Sequence, residues 1–192
     1  MAYLTRQQLE AMGFKSLGDD VRVSEKASIY NAPNISIGDH SRVDDFCILS
    51  AGAGGISIGR YVHVACHSTL IGHARIVLED FVALSAHTAI FSSTDDFSGA
   101  AMANPTLPDA VRHVVHGDVV MHKHAAVGSN SVILPGVDIG EGAAFGALSL
   151  VKSNAAPFSI NVGVPARKIG DRKRDMLQYE KKLDELLMSA SR

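Results

Sequence analysis

An aliphatic residue recurs every six positions along most of this chain, and that period constrains the fold more than any other feature. The anchors run Leu17, Val23, Ile29; Ile37, Val43, Leu49; Ile58, Val64, Leu70; and Leu78, Leu84, Ile90. After a long interruption come Met121, Val127, Ile133 and then Ile139, Phe145, Val151. Four residues after each anchor stands a small or β-branched residue, with Pro33 the one exception. A hexad is too short for a helix and loop, so each repeat must be a short strand and a turn. One aliphatic and one small inward residue per side fill only a narrow prism. Three sides close one coil, and six coils stacked at about 4.8 Å give a column about 25–30 Å tall. The spacing between coils supports this, because the extra residues always fall after the third hexad. All insertions therefore protrude from one corner.

Length and charge narrow the class further. A chain of 192 residues fits one domain with modest appendages. Its net charge of −2 leaves no electrostatic footprint for nucleic acid or an anionic membrane. Cys47 falls on an inward small-residue position and Cys66 lies in the next coil, which reads as two reduced thiols. No apolar run reaches membrane-spanning length and the start lacks a signal-peptide pattern, so a soluble cytoplasmic protein is expected.

Three segments depart from the repeat. Residues 1–16 read as a capping helix, with Thr5 and Gln8 as a capping box, Leu4 and Leu9 as a staple and Gly13 as a stop. Residues 170–192 read as a C-terminal helix whose stripe of Met176, Tyr179, Leu183 and Leu187 packs on the column 17–169 or on a neighbouring subunit. Loop 92–118 has no hexads, and a loop of this length inside a compact domain is usually functional. Nine histidines are also present. His40, His67, His73, His87 and His124 share the position three residues after an anchor with Phe46, Tyr61 and Asn130, an outward-facing turn.

The run VGSNSVILPGVDIGEGAAFGALSLVKSNAAPFSINVGVPARKI resembles the last coils of the hexapeptide-repeat acetyltransferases, the galactoside and maltose enzymes and their sugar-modifying relatives. Its closing Gly163-Val164-Pro165-Ala166-Arg167-Lys168-Ile169 matches the family's G-x-P-A-K/R-x-I motif. The resemblance implies a left-handed parallel β-helix, a homotrimer, and acetyl-coenzyme A (acetyl-CoA) bound between adjacent columns with no metal. It places the pantetheine arm by Gly128, Gly146 and Ala147, and the cofactor's phosphates by Lys152, Arg167 and Lys168. The galactoside and maltose enzymes carry a His-Pro pair where this chain has Asp95-Asp96. That departure points to the branch acting on nucleotide-linked or lipopolysaccharide sugars. Asp95 and Asp96 would hold the sugar, and the base would come from His116, His87 or His113, in that order. An amine acceptor would need less base strength than a hydroxyl. The acceptor would attack the thioester directly. Two other readings compete: a γ-carbonic-anhydrase-like metal hydratase using His87, His122 and His124, and a column without catalytic activity serving as a scaffold.

Overall fold

In the computed structural model, which describes residues 2–190, the hexads form three parallel sheets that are the three faces of one column. The first face stacks Ser16–Leu17, Ile35–Ile37, Ile56–Ile58, Ile76–Leu78, Val119–Met121 and Asp138–Ile139. The second face begins with Arg22–Val23, Arg42–Val43, His63–Val64 and Ala83–Leu84, then continues with Ala126–Val127, Ala144–Phe145 and Ser159–Gly163. Six strands from Ser28–Tyr30 to Leu150–Val151 make the third. Register is strict: anchor stands on anchor, as in Val43 on Val64 and Leu84 on Val127. A slip of one residue would turn every anchor outward.

The anchors are the core. All but Leu17 and Ile29 are buried, and those two sit in the first coil, which the N-terminal segment covers with Leu4, Leu9, Met12 and Phe14. Between them pack the small residues, among them Ser41, Cys47, Ser68, Thr88, Ala125, Ser131 and Ala143. Their buried hydroxyls bond carbonyls of neighbouring coils, as Ser41 Oγ does to Gly59 O at 2.7 Å. Cys47 and Cys66 are free thiols, and burial pushes the Cys47 pKa to about 11. The outward turn position adopts positive φ at His40, Phe46, Tyr61, His67, Phe81, His87, His124 and Asn130. Rings at equivalent turns stack into ladders, His40–Tyr61–Phe81–His124 on the first corner and Phe46–His67–His87 on the second. The column is longer than the hexads indicate. Ala155 and Ser159–Gly163 add a partial seventh turn that carries no aliphatic anchor. There Asn161 points inward and bonds Ala144 O, and Phe158 is buried, which closes the column's end.

Helix α1 (Arg6–Ala11) begins with the capping box: Gln8 N–H donates to Thr5 Oγ1 at 3.2 Å and Thr5 N–H to Gln8 Oε1 at 2.7 Å. Leu9 is buried against the first coil, and Gly13 takes φ 71° just beyond the helix. Helix α2 (Met176–Ala190) runs back along the first corner. Residue 1 and residues 191–192 of the expected terminal segments lie outside the described residues. The inner side of α2 differs from the apolar stripe read in the sequence. Tyr179 is 70% exposed, and Glu180 takes the inward position. Glu180 accepts from Lys123 Nζ at 2.6 Å and His124 Nε2 at 2.7 Å, while Arg60 pairs with Asp184 one turn further on. Met176 and Leu183 of the expected stripe are half-buried, so these ion pairs dock the helix together with its apolar residues.

Burial alone would favour the neutral form of Glu180, but the bonds from Lys123 and His124 outweigh it and hold its pKa below the usual value. A lowered carboxylate pKa stabilises the docked state above the unfolded value and is lost as pH falls through the folded one. Docking of α2 should therefore weaken below about pH 4.5. Glu180→Gln should expose the helix at neutral pH, read as faster tryptic cleavage at Lys181 and Lys182. Unchanged cleavage would show that the apolar contacts hold the helix alone.

Candidate active site

The long insertion leaves the third corner as an antiparallel ribbon, Ser93–Asp95 paired with Val114–His116. Ser92 anchors its root, fully buried, with Oγ donating to Ala74 O at 2.6 Å. Two clefts flank the ribbon, and both are lined by Ser93, Arg112 and Val114. One, of about 520 Å³, adds His73, Asp109 and His116. The other, of about 540 Å³, is walled by Ile71, Phe91, Phe97, Pro105, Val132 and Leu134 and holds one carboxylate, Asp95.

In the first cleft, Ser93 Oγ accepts from His73 N–H at 2.8 Å and lies 2.8 Å from His116 Nδ1. That contact fixes the ring and leaves His116 Nε2 without a bond of its own. Arg112 reaches Asp109 Oδ1 through both Nε and Nη2, at 2.8 and 2.5 Å. The expected acidic pair is split. Asp96 is tied into the loop, accepting from Ser98 N–H at 2.8 Å and Ser98 Oγ at 2.9 Å. Those bonds, the backbone one foremost, lower its pKa, with His113 3.9 Å away adding to the effect. Asp95 instead faces the apolar cleft.

The other expected residues fall elsewhere. His87 sits on the second corner, exposed, its ring stacked on His67 at 4.6 Å. The third face, up to roughly 20 Å of extended chain, separates it from Ser93. Gly128, Gly146 and Ala147 lie above His87 on that same corner. An added Cβ at Gly128 would stand 2.5 Å from Ala147 N, so coil stacking by itself demands this glycine. At Gly146 the Cβ would meet only the Val162 side chain, at 2.8 Å. Lys152, Arg167 and Lys168 converge at the column's end on a cleft of about 350 Å³ with Ser153 and Asn154. Lys168 is paired with Asp171 at 2.6 Å, and Arg167 bonds only Ala166 O. Three cations thus line one concave surface, a setting in which charge-assisted bonds to an anion can form.

The histidines of the metal reading do not converge. His122 lies between Glu79 and Asp138, at 3.0 and 3.3 Å, His124 is held by Glu180, and His87 is on another corner. Burial opposes a charge on His122, but the two carboxylates outweigh it and raise its pKa. Sequence reasoning had no access to Ser93, His73 and Arg112 as one cluster. Two of them lie in the non-repeating loop, and only the ribbon's register brings Ser93 to His116.

A three-sided column of hexads with a cationic end and a ribbon at one corner is the architecture of a coenzyme-A-dependent acyltransferase, and comparison with known proteins agrees. The chain is 45% identical over 180 residues, 94% of both proteins, to the dTDP-4-amino-4,6-dideoxy-D-glucose acyltransferase of Escherichia coli. It belongs to the hexapeptide-repeat acyltransferases, in the group that contains that enzyme. The N-acyltransferase AntD from Bacillus cereus, solved with dTDP and 3-hydroxybutyryl-CoA, superposes with a TM-score of 0.92 at 42% identity. That match covers 99% of this chain and 98% of AntD. A maltose O-acetyltransferase from Clostridium difficile 630 shares the fold, at 18% identity and a TM-score of 0.59 over 88% of this chain and 74% of that one. No family model matches the sequence. Among the described residues, no helix is long and apolar enough to cross a membrane.

Proposed function

We propose that this protein is a cytoplasmic homotrimer that transfers an acyl group from a coenzyme A thioester to the amino group of a dTDP-linked 4-amino-4,6-dideoxy sugar. The observation that carries the reading is Asp95, a lone carboxylate in an apolar cleft, in a chain aligned end to end with acyltransferases of such sugars. A free amine is already nucleophilic, so it needs an acceptor for the proton it sheds on attack rather than a strong base. Asp95 orients the amine and takes that proton as nitrogen bonds the thioester carbon. The carbon–sulfur bond then breaks and coenzyme A leaves as the thiolate. Ile71, Phe91, Val132 and Leu134 offer a surface for a methyl group in place of a hydroxymethyl, which suits a 6-deoxy sugar. Lys152, Arg167 and Lys168 would hold the donor's phosphates, and Gly128, Gly146 and Ala147 would flank its pantetheine arm.

The trimer is part of the reading. The ribbon with Asp95 leaves the third corner, whereas His87 and the glycine strip occupy the second. One chain cannot join them; the ribbon of a neighbouring copy laid along this corner does.

The test is thiol release from acetyl-CoA and 3-hydroxybutyryl-CoA with three acceptors: dTDP-4-amino-4,6-dideoxyglucose, dTDP-glucose and a free amino sugar. Turnover confined to the first acceptor is expected. Comparable turnover of dTDP-glucose would replace the amine reading with hydroxyl acylation. A monomeric mass in solution would remove the shared site.

A further inference from the structure

The ribbon that carries Asp95 is fixed to the column at one turn. Beneath it, at the same corner of the preceding coil, the chain passes through His73, Ala74 and Arg75 between strands Thr69–Gly72 and Ile76–Leu78. Side chains from both roots of the insertion bond the backbone of these three successive residues. Ser92 Oγ donates to Ala74 O at 2.6 Å, and Ser93 Oγ accepts from His73 N–H at 2.8 Å. Asp118 Oδ1 accepts from Arg75 N–H at 3.0 Å, and Asp118 also pairs with the Arg75 guanidinium at 3.2 Å. A Cβ on Gly72 would overlap Ser92 Oγ, so this close approach depends on that glycine. Surface loops are ordinarily the least constrained parts of a fold, whereas this one is held at both roots.

Ser92 and Asp118 lie at the roots, but Ser93 is already part of the ribbon. It stands opposite His116 across the two strands, with its Oγ 2.8 Å from His116 Nδ1. The His116 ring in turn packs on that of His73, their centroids 5.0 Å apart. One hydroxyl therefore joins the column to both strands. A hydroxyl offers two lone pairs and a proton, so it can accept from His73 N–H and still bond His116 in either tautomer. Asp95 follows two residues later on the same strand, and both side chains line the apolar cleft. Two residues of strand span about 7 Å. A tilt of about 10° at Ser93 therefore carries the carboxylate by about 1 Å, a displacement that can cost about 10²-fold in rate.

We infer that Ser93 is a positioning residue for the acyl transfer and acts through Asp95. Its two bonds set the angle at which the ribbon leaves the column, and with it the place of the carboxylate that receives the amine's proton. This inference rests on the role given to Asp95 above. The ribbon's own ladder cannot set that angle. Its bonds, such as Asp96 N–H to His113 O at 2.9 Å, join strand to strand and move with the ribbon. Backbone bonds at the roots, Ser92 N–H to Ile71 O at 3.0 Å and Val119 N–H to Arg75 O at 2.9 Å, fix where the ribbon starts. The Ser93 hydroxyl, one step further out, fixes its direction.

The test is a double-mutant cycle. Thiol release with dTDP-4-amino-4,6-dideoxyglucose is followed for wild type, Ser93→Ala, Asp95→Asn and the variant carrying both. Ser93→Ala should lower kcat roughly tenfold to a hundredfold, with dTDP and CoA affinities by calorimetry near wild type. Ser93→Thr, which keeps the hydroxyl on a residue suited to a strand, should recover most of the loss. A residue that acts through another adds nothing once that other is gone, so the double variant should be no slower than Asp95→Asn alone. Losses that multiply would overturn the inference, as would wild-type kcat in Ser93→Ala. Weakened ligand binding at unchanged kcat would make Ser93 a substrate contact and overturn it equally. Ser93 is partly exposed, so its alanine variant should fold. Ser93→Cys, whose thiol is a weak acceptor, takes its place in the cycle if it does not. Wild-type kcat in Asp95→Asn would instead remove the role of Asp95 itself, a failure distinct from that of Ser93 alone.

Discussion

Asp95→Asn is expected to lower kcat for the amino-sugar acceptor by roughly 10²–10⁴, the range that a positioned acid–base group contributes. Asparagine keeps the shape and can still accept a hydrogen bond, but it cannot take the proton. Affinity for dTDP and CoA should therefore stay near wild type, and the loss should appear in kcat rather than KM. His116→Gln is the companion variant. His116 lies in the other cleft, its Nδ1 engaged with Ser93, and a modest effect is expected. Steady-state thiol release separates the two. If Asp95→Asn keeps full kcat while His116→Gln loses two orders of magnitude, the proton goes to the histidine and our assignment fails.

Gly128→Ala should destabilise the protein even with no ligand bound. The new methyl would stand 2.5 Å from Ala147 N and 2.8 Å from Gly146 C, backbone atoms of the next coil that cannot turn aside. Overpacking of this kind costs about 1–3 kcal/mol. For a chain of this size each kcal/mol shifts Tm by roughly 2–4 °C, so a loss of about 2–12 °C is expected. Gly146→Ala is the control, because its methyl meets the end of the Val162 side chain, which can rotate. Differential scanning calorimetry without CoA reads both. An unchanged Tm in Gly128→Ala, with a raised KM for the donor, would show that the glycine serves only the cofactor.

Much of the scaffold was readable because its signal is periodic. Each anchor from Val43 to Val151 could be placed inside before any coordinates, and so could the corner from which all insertions leave. The partial seventh turn escaped because Asn161 occupies an aliphatic position, a polar choice that works only where the column ends. The rotation of α2 escaped for a related reason. Glu180 lies outside the apolar stripe, yet Lys123 and His124, 57 and 56 residues away in sequence, draw it inward.

The site was less legible. Asp95 and Asp96 are adjacent in sequence and looked interchangeable; the ribbon turns one into the apolar cleft and the Ser98 turn consumes the other. Arg22, Arg42 and His63 each lie about 20 residues from the next, and only coil-on-coil register stacks them. Their separation along the chain carries no trace of that contact.

By itself, then, the sequence determined the column, its register and the corner that bears the loop. A six-residue period leaves one economical way to bury its aliphatic residues. Tertiary structure alone decided which charged groups meet. Those encounters depend on side chains brought together across coils and across the base of an irregular loop, where no local pattern constrains them.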